Sequence, residues 1–127
     1  EPYAEGMGDR RSLALGEAQQ ALVRRVRDRV ASLVLIVISG RPLVLGPAAE
    51  AADALVAAWL PGSEAAGVAD PLFGRVPYRA TLRYLWPASD AQLPLHPFGG
   101  ATTPPARGEP AWTIGHGLVT APQPEAT

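Results

Sequence analysis

The chain of 127 residues has no cysteine, no lysine and no asparagine, and only one methionine. The absence of cysteine excludes disulfide frameworks, thiolate metal sites and cysteine nucleophiles. All 11 basic residues are arginines, and with 12 acidic residues they give a formal net charge of −1. Because the chain lacks an overall positive potential, we expect neither nucleic acid nor an anionic membrane surface as a partner.

Long hydrophobic runs are also scarce. The run from Leu33 to Ile38 is far shorter than the roughly 20 apolar residues of a membrane-spanning helix. No signal-peptide pattern opens the chain at Glu1, so we expect a soluble protein without a membrane partner. The residues do not indicate the compartment, and a periplasmic or secreted location of a longer parent protein would fit them. The length allows one domain at most.

The pattern of residues predicts two helices and two buried strands. An amphipathic helix starts at Glu17, where apolar residues recur every four positions and arginines occupy the other faces. The β-branched run 33–38 and the run from Ala54 to Trp59 predict strands of a parallel sheet, although the alanines of the second run leave a helix open. Ser63 could cap a further helix that reaches about Phe73.

The remaining segments predict little regular structure. Residues 1–16 are rich in glycine and charge and predict a loop, and 82–85 predicts an edge strand or extended segment. Half of the 14 prolines stand at or beyond Pro94, which predicts an extended tail. The fold class is therefore α/β, but two or three strands cannot form a self-sufficient sheet.

Six segments resemble, in their order along the chain, the C-terminal α/β sandwich domain of glycoside hydrolase family 3, in its β-glucosidase and exo-β-glucanase members. They are EPYAEGMGD, LVLIVISGRPLVL, ADALVAAWLPGSE, GVADPLFG, WPASDAQLP and WTIGHGL. The resemblance covers residues 1–120 and leaves 121–127 as a disordered tail. It implies the C-terminal part of a layered sandwich with a mostly parallel central sheet, which is incomplete in this chain.

The resemblance also implies a catalytic residue. The family string P-Y-x-E-x-x-G-D matches Pro2 to Asp9 and makes Glu5 the counterpart of the acid/base carboxyl of a retaining, exo-acting β-glycosidase. Glu1 is a weaker alternative from the same loop. In the family, the nucleophilic aspartate belongs to a barrel domain. The resemblance therefore implies as partners the missing barrel and the remainder of the sandwich. It also implies a β-glucoside or β-glucan oligosaccharide as the substrate. No cofactor is implied.

Other sites are less well supported by the residues. Ser89 and Asp90 superficially resemble the serine-aspartate pair at the family nucleophile, but a turn or cap aspartate is the favoured interpretation. His96 and His116 have no acidic or histidine neighbour at metal-ligand spacing, so we expect no metal site. The three tryptophans could stack on sugar rings, and for Trp59 and Trp86 core or interface packing is favoured. We therefore assign no substrate-binding residue.

Two functions follow from these expectations. In the first, the chain is part of a β-glucosidase-like or exo-glucanase-like hydrolase and supplies its acid/base loop. The isolated chain, which lacks the barrel, is then expected to be inactive. The alternative is a non-catalytic truncated module with a structural or sugar-binding role. The family pattern changes at several positions, including Ala65, Ala66 and Pro71, and these changes fit either a divergent member or a decaying fragment.

Overall fold

The computed structural model describes residues 10–95 and 111–121, and these residues contain three α-helices and a two-stranded parallel sheet. The α-helices are α1 (Glu17–Arg27), α2 (Pro47–Ala51) and α3 (Ala66–Leu72), and the strands are β1 (Val34–Ile38) and β2 (Ala54–Trp59). The predicted α/β class is confirmed. The tail predicted for 121–127 lies outside the described residues from 122 onward.

Helix α1 begins where the apolar pattern predicts. The side-chain oxygen of Gln19 accepts a hydrogen bond from the Gly16 amide at 3.1 Å and closes the first turn, which also contains Glu17. Arg24, Arg25 and Arg27 lie in the last turn, where positive charge favours the negative end of the helix dipole. No residue of α1 is fully buried, so the helix lies on the surface.

An ion pair ties the end of α1 to the start of the sheet. Arg27 contacts Asp53 at 2.6 Å and donates a second hydrogen bond to the carbonyl of Ala31 at 2.9 Å. Asp53 in turn accepts a hydrogen bond from the Leu33 amide at 2.7 Å. These hydrogen bonds, that from Leu33 first and that from Arg27 second, lower the pKa of Asp53.

The strands β1 and β2 pair in parallel, with Val34 opposite Ala54 at the start and Ile38 opposite Trp59 at the end. The register shifts by one residue after Val37, so β2 carries an extra residue at its C-terminal end. Trp59, the last residue of β2, has a φ of 55°, which is unusual for a bulky side chain. A strand end of this kind turns the chain sharply before Pro61.

The two faces of this sheet differ in burial. Leu35 and Leu55 face a core built from Val37, Leu43, Leu45 and Trp86, whereas Val34, Ile36 and Ile38 of β1 are exposed on the opposite face. A parallel sheet normally has helices on both faces. The sequence predicts a strand covered on both sides, and within the described residues only one side is covered.

Helix α2 lies in the connection between the two strands, and the apolar pattern of the sequence does not predict it. It starts with Pro47 after Gly46, whose φ of 51° and ψ of −134° suit glycine alone. Ala48 of this helix is buried, and α1 packs against the same short helix. Five residues rich in alanine give too short a pattern to separate a helix from a loop.

The prediction of a helix capped by Ser63 is only partly right. A 3₁₀ turn at Gly62–Glu64 comes first, and α3 starts at Ala66 without a side-chain cap. The Ser63 hydroxyl instead donates a weak hydrogen bond of 3.4 Å to Glu64. Pro71 lies inside α3 near its end, and the helix stops at Leu72, one residue before the predicted end.

The extended segment at 82–86 pairs with the last described segment. Leu82 and His116 form a 2.8 Å backbone hydrogen bond, and the Trp86 amide donates to the carbonyl of Trp112 at 2.9 Å. This antiparallel pairing includes a single bridge between Trp86 and Trp112. The segment after the proline-rich region is therefore held against the core.

Candidate functional site

The residue to which the resemblance gives a catalytic role, Glu5, lies outside the described residues, as do the alternative Glu1 and the neighbouring Asp9. The described residues begin at Arg10, directly after this acidic segment. The described part of the site is therefore the anchorage of the segment 10–16, through which the acidic segment joins the rest of the domain.

The first anchor of this segment is a backbone pairing. The amide of Val44 donates to the carbonyl of Leu13 at 2.9 Å, and the amide of Leu15 donates to the carbonyl of Val44 at 3.1 Å. Together they form a parallel bridge between Ala14 and Val44. Leu43 and Leu45, on either side of Val44, are buried in the core. The pairing therefore fixes the segment 13–15 to the best-packed part of the domain.

The second anchor is the carboxylate of Asp90. Its Oδ1 accepts a hydrogen bond from the Leu13 amide at 2.8 Å, and its Oδ2 accepts one from the Ser12 hydroxyl at 2.5 Å. The Ser12 hydrogen bond, followed by that of Leu13, lowers the pKa of Asp90, so the group is ionised at neutral pH. A charged acceptor makes both hydrogen bonds stronger than neutral ones.

The loop that carries Asp90 is itself held in place. Asp90 is the first residue of a 3₁₀ turn that ends at Gln92, a buried residue whose side-chain oxygen accepts a hydrogen bond from the Ala88 amide at 2.7 Å. Four residues earlier in the chain, Trp86 is 1% exposed and its Nε1 donates to the carbonyl of Leu43 at 2.7 Å. The loop therefore starts from a fixed point in the core.

An aromatic cluster surrounds that fixed point. The ring centroid of Trp86 lies 5.9 Å from that of Trp59 and 5.8 Å from that of Trp112, and Trp59 meets Tyr84 edge-on at 6.3 Å. Trp59 and Trp112 are partly buried and pack against the core. The structure shows core packing, one of the two roles that the sequence favours for Trp59 and Trp86. The edge-on ring contacts stabilise the cluster beyond the effect of the buried area alone.

The described lining of a surface depression next to the cluster is mostly apolar. It consists of one tyrosine, three prolines and three leucines, namely Tyr84, Pro42, Pro87, Pro94, Leu85, Leu93 and Leu95. A sugar site needs polar groups that bond the ring hydroxyls as well as an apolar surface. Within the described lining, the tyrosine alone has a polar side chain.

Ser39, Asp70 and His116 each make contacts outside this depression. The Ser39 hydroxyl is buried and donates to the carbonyl of Arg41 at 2.8 Å, which shapes the turn after β1. Asp70 pairs with Arg75 at 3.1 Å on the exposed side of α3. His116 lies beside Trp112 with ring centroids 6.1 Å apart, while His96 lies outside the described residues. Residues 10–95 and 111–121 contain no cluster of three side chains able to hold a metal.

The favoured interpretation of Asp90 as a turn residue is confirmed, because Asp90 opens a 3₁₀ turn. The sequence does not predict its partners, which lie 77 and 78 positions earlier in the chain. The local signal was an aspartate at the start of a short turn, which is common in loops of every kind. Long-range pairing of this kind has no periodicity from which it could be found.

The comparison with protein families decides what this domain is. Residues 1–120 match the model of the glycosyl hydrolase family 3 C-terminal domain. The chain belongs to this family. The resemblance of its six segments to the family is therefore confirmed, and so is the assignment to the C-terminal domain.

Several curated relatives support the family 3 assignment. The chain is 34% identical over 88 residues to a xylan 1,4-beta-xylosidase of Xylanibacter ruminicola, an overlap of 68% of this chain and 10% of that protein. It is 30% identical over 94 residues to a periplasmic beta-glucosidase of Salmonella typhimurium, covering 73% of this chain and 12% of that protein. A probable beta-glucosidase J of Emericella nidulans is 40% identical over 89 residues, or 69% of this chain and 10% of that protein.

The overlap is short relative to these proteins. The family 3 chain spans about a tenth of the length of the curated relatives that it matches. Among its described residues, no helix combines the length and apolar character needed to cross a membrane.

Proposed function

We propose that this chain supplies the acid/base carboxyl, Glu5, to a retaining, exo-acting β-glycosidase of which it forms the C-terminal part. The observation that carries the proposal is the family match over residues 1–120, which includes the string around Glu5. Relatives named beta-glucosidase and xylosidase support a β-linked glycoside as the substrate class. The sugar and its linkage are left open within that class.

The chemistry requires two carboxyl groups. In a retaining glycosidase, a nucleophilic carboxylate attacks the anomeric carbon while a second carboxyl, about 5 to 5.5 Å away, protonates the departing oxygen. The same group, now ionised, then takes a proton from water as the water displaces the enzyme carboxylate. We assign the second role to Glu5, and the nucleophile to a barrel domain outside this chain.

Three aspartates among the described residues are engaged in structural contacts. Asp90 is engaged with Ser12 and Leu13, and Asp53 with Arg27 and Leu33. Asp70 pairs with Arg75 on an exposed helix side. Each of these three aspartates therefore has a structural partner. We expect the chain alone not to hydrolyse glycosides, because it supplies one catalytic carboxyl of the two.

The test replaces Glu5 in the longer hydrolase. We expect Glu5→Gln to lower kcat/KM for a phenyl β-glycoside by about 10² to 10⁴, because a poor leaving group needs the proton. A dinitrophenyl β-glycoside, whose leaving group departs without a proton, should lose far less. Measurement of kcat/KM for both substrates gives the contrast, since this parameter reports formation of the glycosyl-enzyme.

The matched control is Glu1→Gln, which removes the alternative carboxyl from the same segment. We expect it to leave the ratio of the two substrates unchanged. An equal loss on both substrates in Glu5→Gln would remove Glu5 from the acid/base role, and a selective loss in Glu1→Gln would transfer the role to Glu1. A coding sequence that stops just upstream of Glu1 would instead favour the non-catalytic module.

A further inference from the structure

The last described segment, residues 111–121, lies along the extended segment 78–86, and we call it the strap. Backbone hydrogen bonds join the two segments at three residues of 78–86, namely Tyr78, Leu82 and Trp86. The amides of Leu82 and Trp86 donate to the carbonyls of His116 and Trp112 at 2.8 and 2.9 Å. The bonded residues are four positions apart, which is twice the spacing of hydrogen-bonded residues in a regular antiparallel ladder. The strap is therefore held by a sparse ladder.

Few side chains of the strap reach the core. Ten of its eleven residues, all of them described, are exposed, and Trp112 alone is partly buried. Leu118 and Val119 are 84% and 68% exposed. The Trp112 ring packs against the core, with its centroid 5.8 Å from that of Trp86. Because burial of apolar surface is the main stabilising contribution in a fold, Trp112 acts as the latch of the strap.

The rest of the domain is held by contacts that do not involve the strap. Nε1 of Trp86 donates to the carbonyl of Leu43 at 2.7 Å, and β1 pairs with β2. Val44 pairs with the segment 13–15. Loss of the strap leaves all of these contacts in place. A segment with few buried contacts opens at a lower free energy than that of global unfolding, so the strap can open while the sheet and core stay folded.

We propose that the strap opens as a unit and that the edge of 78–86 which it leaves is a docking site for an extended peptide strand. The strand that fits this edge is the strap of a second copy of the chain. The intact pairing shows that this sequence bonds the amides and carbonyls of Leu82 and Trp86 and places an indole against the Trp86 ring. An open strand edge accepts a further strand through its backbone groups. The inference does not depend on the role of Glu5.

Hydrogen exchange of the full chain, followed by mass spectrometry, tests the opening. We expect peptic fragments from the strap and from 78–86 to exchange their bonded amides about tenfold faster or more than fragments from β1 and β2. Low urea should change the exchange of the strap little, because its opening exposes little surface. Equal protection of strap and sheet, with the same dependence on urea, would mean that the strap opens only in global unfolding, and the proposal would be wrong.

Peptide binding tests the docking edge. The probe is a fluorescein-labelled peptide of residues 111–121, and its fluorescence anisotropy gives the Kd for the full chain. In the wild-type chain the strap competes as an intramolecular ligand, whose effective concentration exceeds that of the added probe. Trp112→Ala in the chain removes the latch, so the Kd of the probe should fall by about tenfold or more.

A second variant loosens the strap away from the core. A Cβ added at Gly117 would lie 3.2 Å from the carbonyl oxygen of Ala80 and 3.2 Å from Cα of Thr81, so Gly117→Ala should also lower the Kd of the probe. Far-UV circular dichroism of each variant checks that the fold is retained. Gly117→Ala tests the proposal even if Trp112→Ala does not fold.

The controls separate strand docking from adhesion to an apolar surface. The same peptide with Trp112→Ala should lose most of its binding, and Phe73→Ala, which removes a side chain 73% exposed beyond the end of α3, should bind the probe like the wild-type chain. Binding that is lost with Ile36→Thr and Ile38→Thr would assign the probe to the exposed face of β1, and the docking edge would be wrong. Folded Trp112→Ala and Gly117→Ala chains that bind the probe no better than wild type would also overturn the proposal.

Discussion

At the scale of single residues, Asp53 and Asp90 perform the same task in different places. Each carboxylate accepts one hydrogen bond from a backbone amide and one from a side chain, and in each case these hydrogen bonds lower the pKa of the aspartate. A side chain that accepts a hydrogen bond from a distant backbone amide takes the place of an inter-strand hydrogen bond that a longer strand would provide. In this domain, with only two short strands among the described residues, such contacts join segments that the sheet does not reach.

We expect the Asp53 contact to make the stability of the chain depend on pH. Because the folded-state pKa of Asp53 is lowered, its contribution is complete above the unfolded value of about 3.9 and is lost as the pH falls through the folded value. Asp53→Asn should therefore lower the urea midpoint at neutral pH, and the difference from wild type should shrink under acidic conditions. Tryptophan fluorescence of both proteins across this range gives the midpoints.

Salt provides the control for this prediction. The Leu33 amide is the largest cause of the lowered pKa of Asp53, ahead of Arg27. Since a hydrogen bond to a backbone amide is screened less than an exposed ion pair, most of the effect should persist at high salt. A difference that vanishes in salt would assign the contribution to Arg27 instead.

At the scale of elements, glycine decides where α2 begins. Gly46 combines a φ of 51° with a ψ of −134° immediately before Pro47, a conformation that a Cβ would strain even though its nearest contact, Nε2 of Gln20 at 3.9 Å, is an ordinary one. The turn lets α2 fold back so that Ala48 is buried. The connection from β1 to β2 depends on this one backbone conformation.

We expect Gly46→Ala to destabilise the chain by about 1 to 3 kcal/mol, because the strain is present in the folded state only. The matched control is Gly67→Ala in α3, where the φ is not positive and nothing lies within 4 Å of an added Cβ. That change should be neutral or stabilise by about 0.5 kcal/mol through higher helix propensity. The urea midpoint should therefore fall in Gly46→Ala and stay unchanged or rise in Gly67→Ala, and equal shifts would contradict the role of Gly46.

At the scale of the whole molecule, the outer face of the sheet is the dominant feature. Val34, Ile36 and Ile38 are 42%, 37% and 55% exposed, and they lie on one side of a strand whose other side faces the core. Contiguous exposed apolar side chains favour association.

We expect the isolated chain to bind a hydrophobic dye and to self-associate through this outer face. The double variant Ile36→Thr with Ile38→Thr should reduce both effects and keep the far-UV spectrum, because threonine also favours strands. Size-exclusion chromatography with light scattering gives the mass, and dye fluorescence gives the exposed surface.

The control for the outer face is Leu35→Thr. Leu35 lies between the two isoleucines but faces the core, so its replacement should lower the urea midpoint and increase dye binding. A wild-type chain that is a monomer and binds no dye would contradict the role of the outer face.

The sequence by itself determined the family, the α/β class and the positions of α1, β1 and β2, because these depend on local apolar periodicity and on strings of residues. It also indicated that the sheet is incomplete. It did not predict α2, whose five residues are too few for a period, and it misplaced the start of α3, where a 3₁₀ turn takes the expected capping position.

Only the tertiary structure decided what brings distant segments together. The contact of Asp90 with Ser12 and Leu13, the parallel bridge of Ala14 with Val44 and the pairing of Trp86 with Trp112 each join residues at least 26 positions apart. Such contacts depend on how the chain closes around the core and leave no local pattern. The absence of cysteine excluded whole classes of site, and the folded core determines how the segment 10–16 is held.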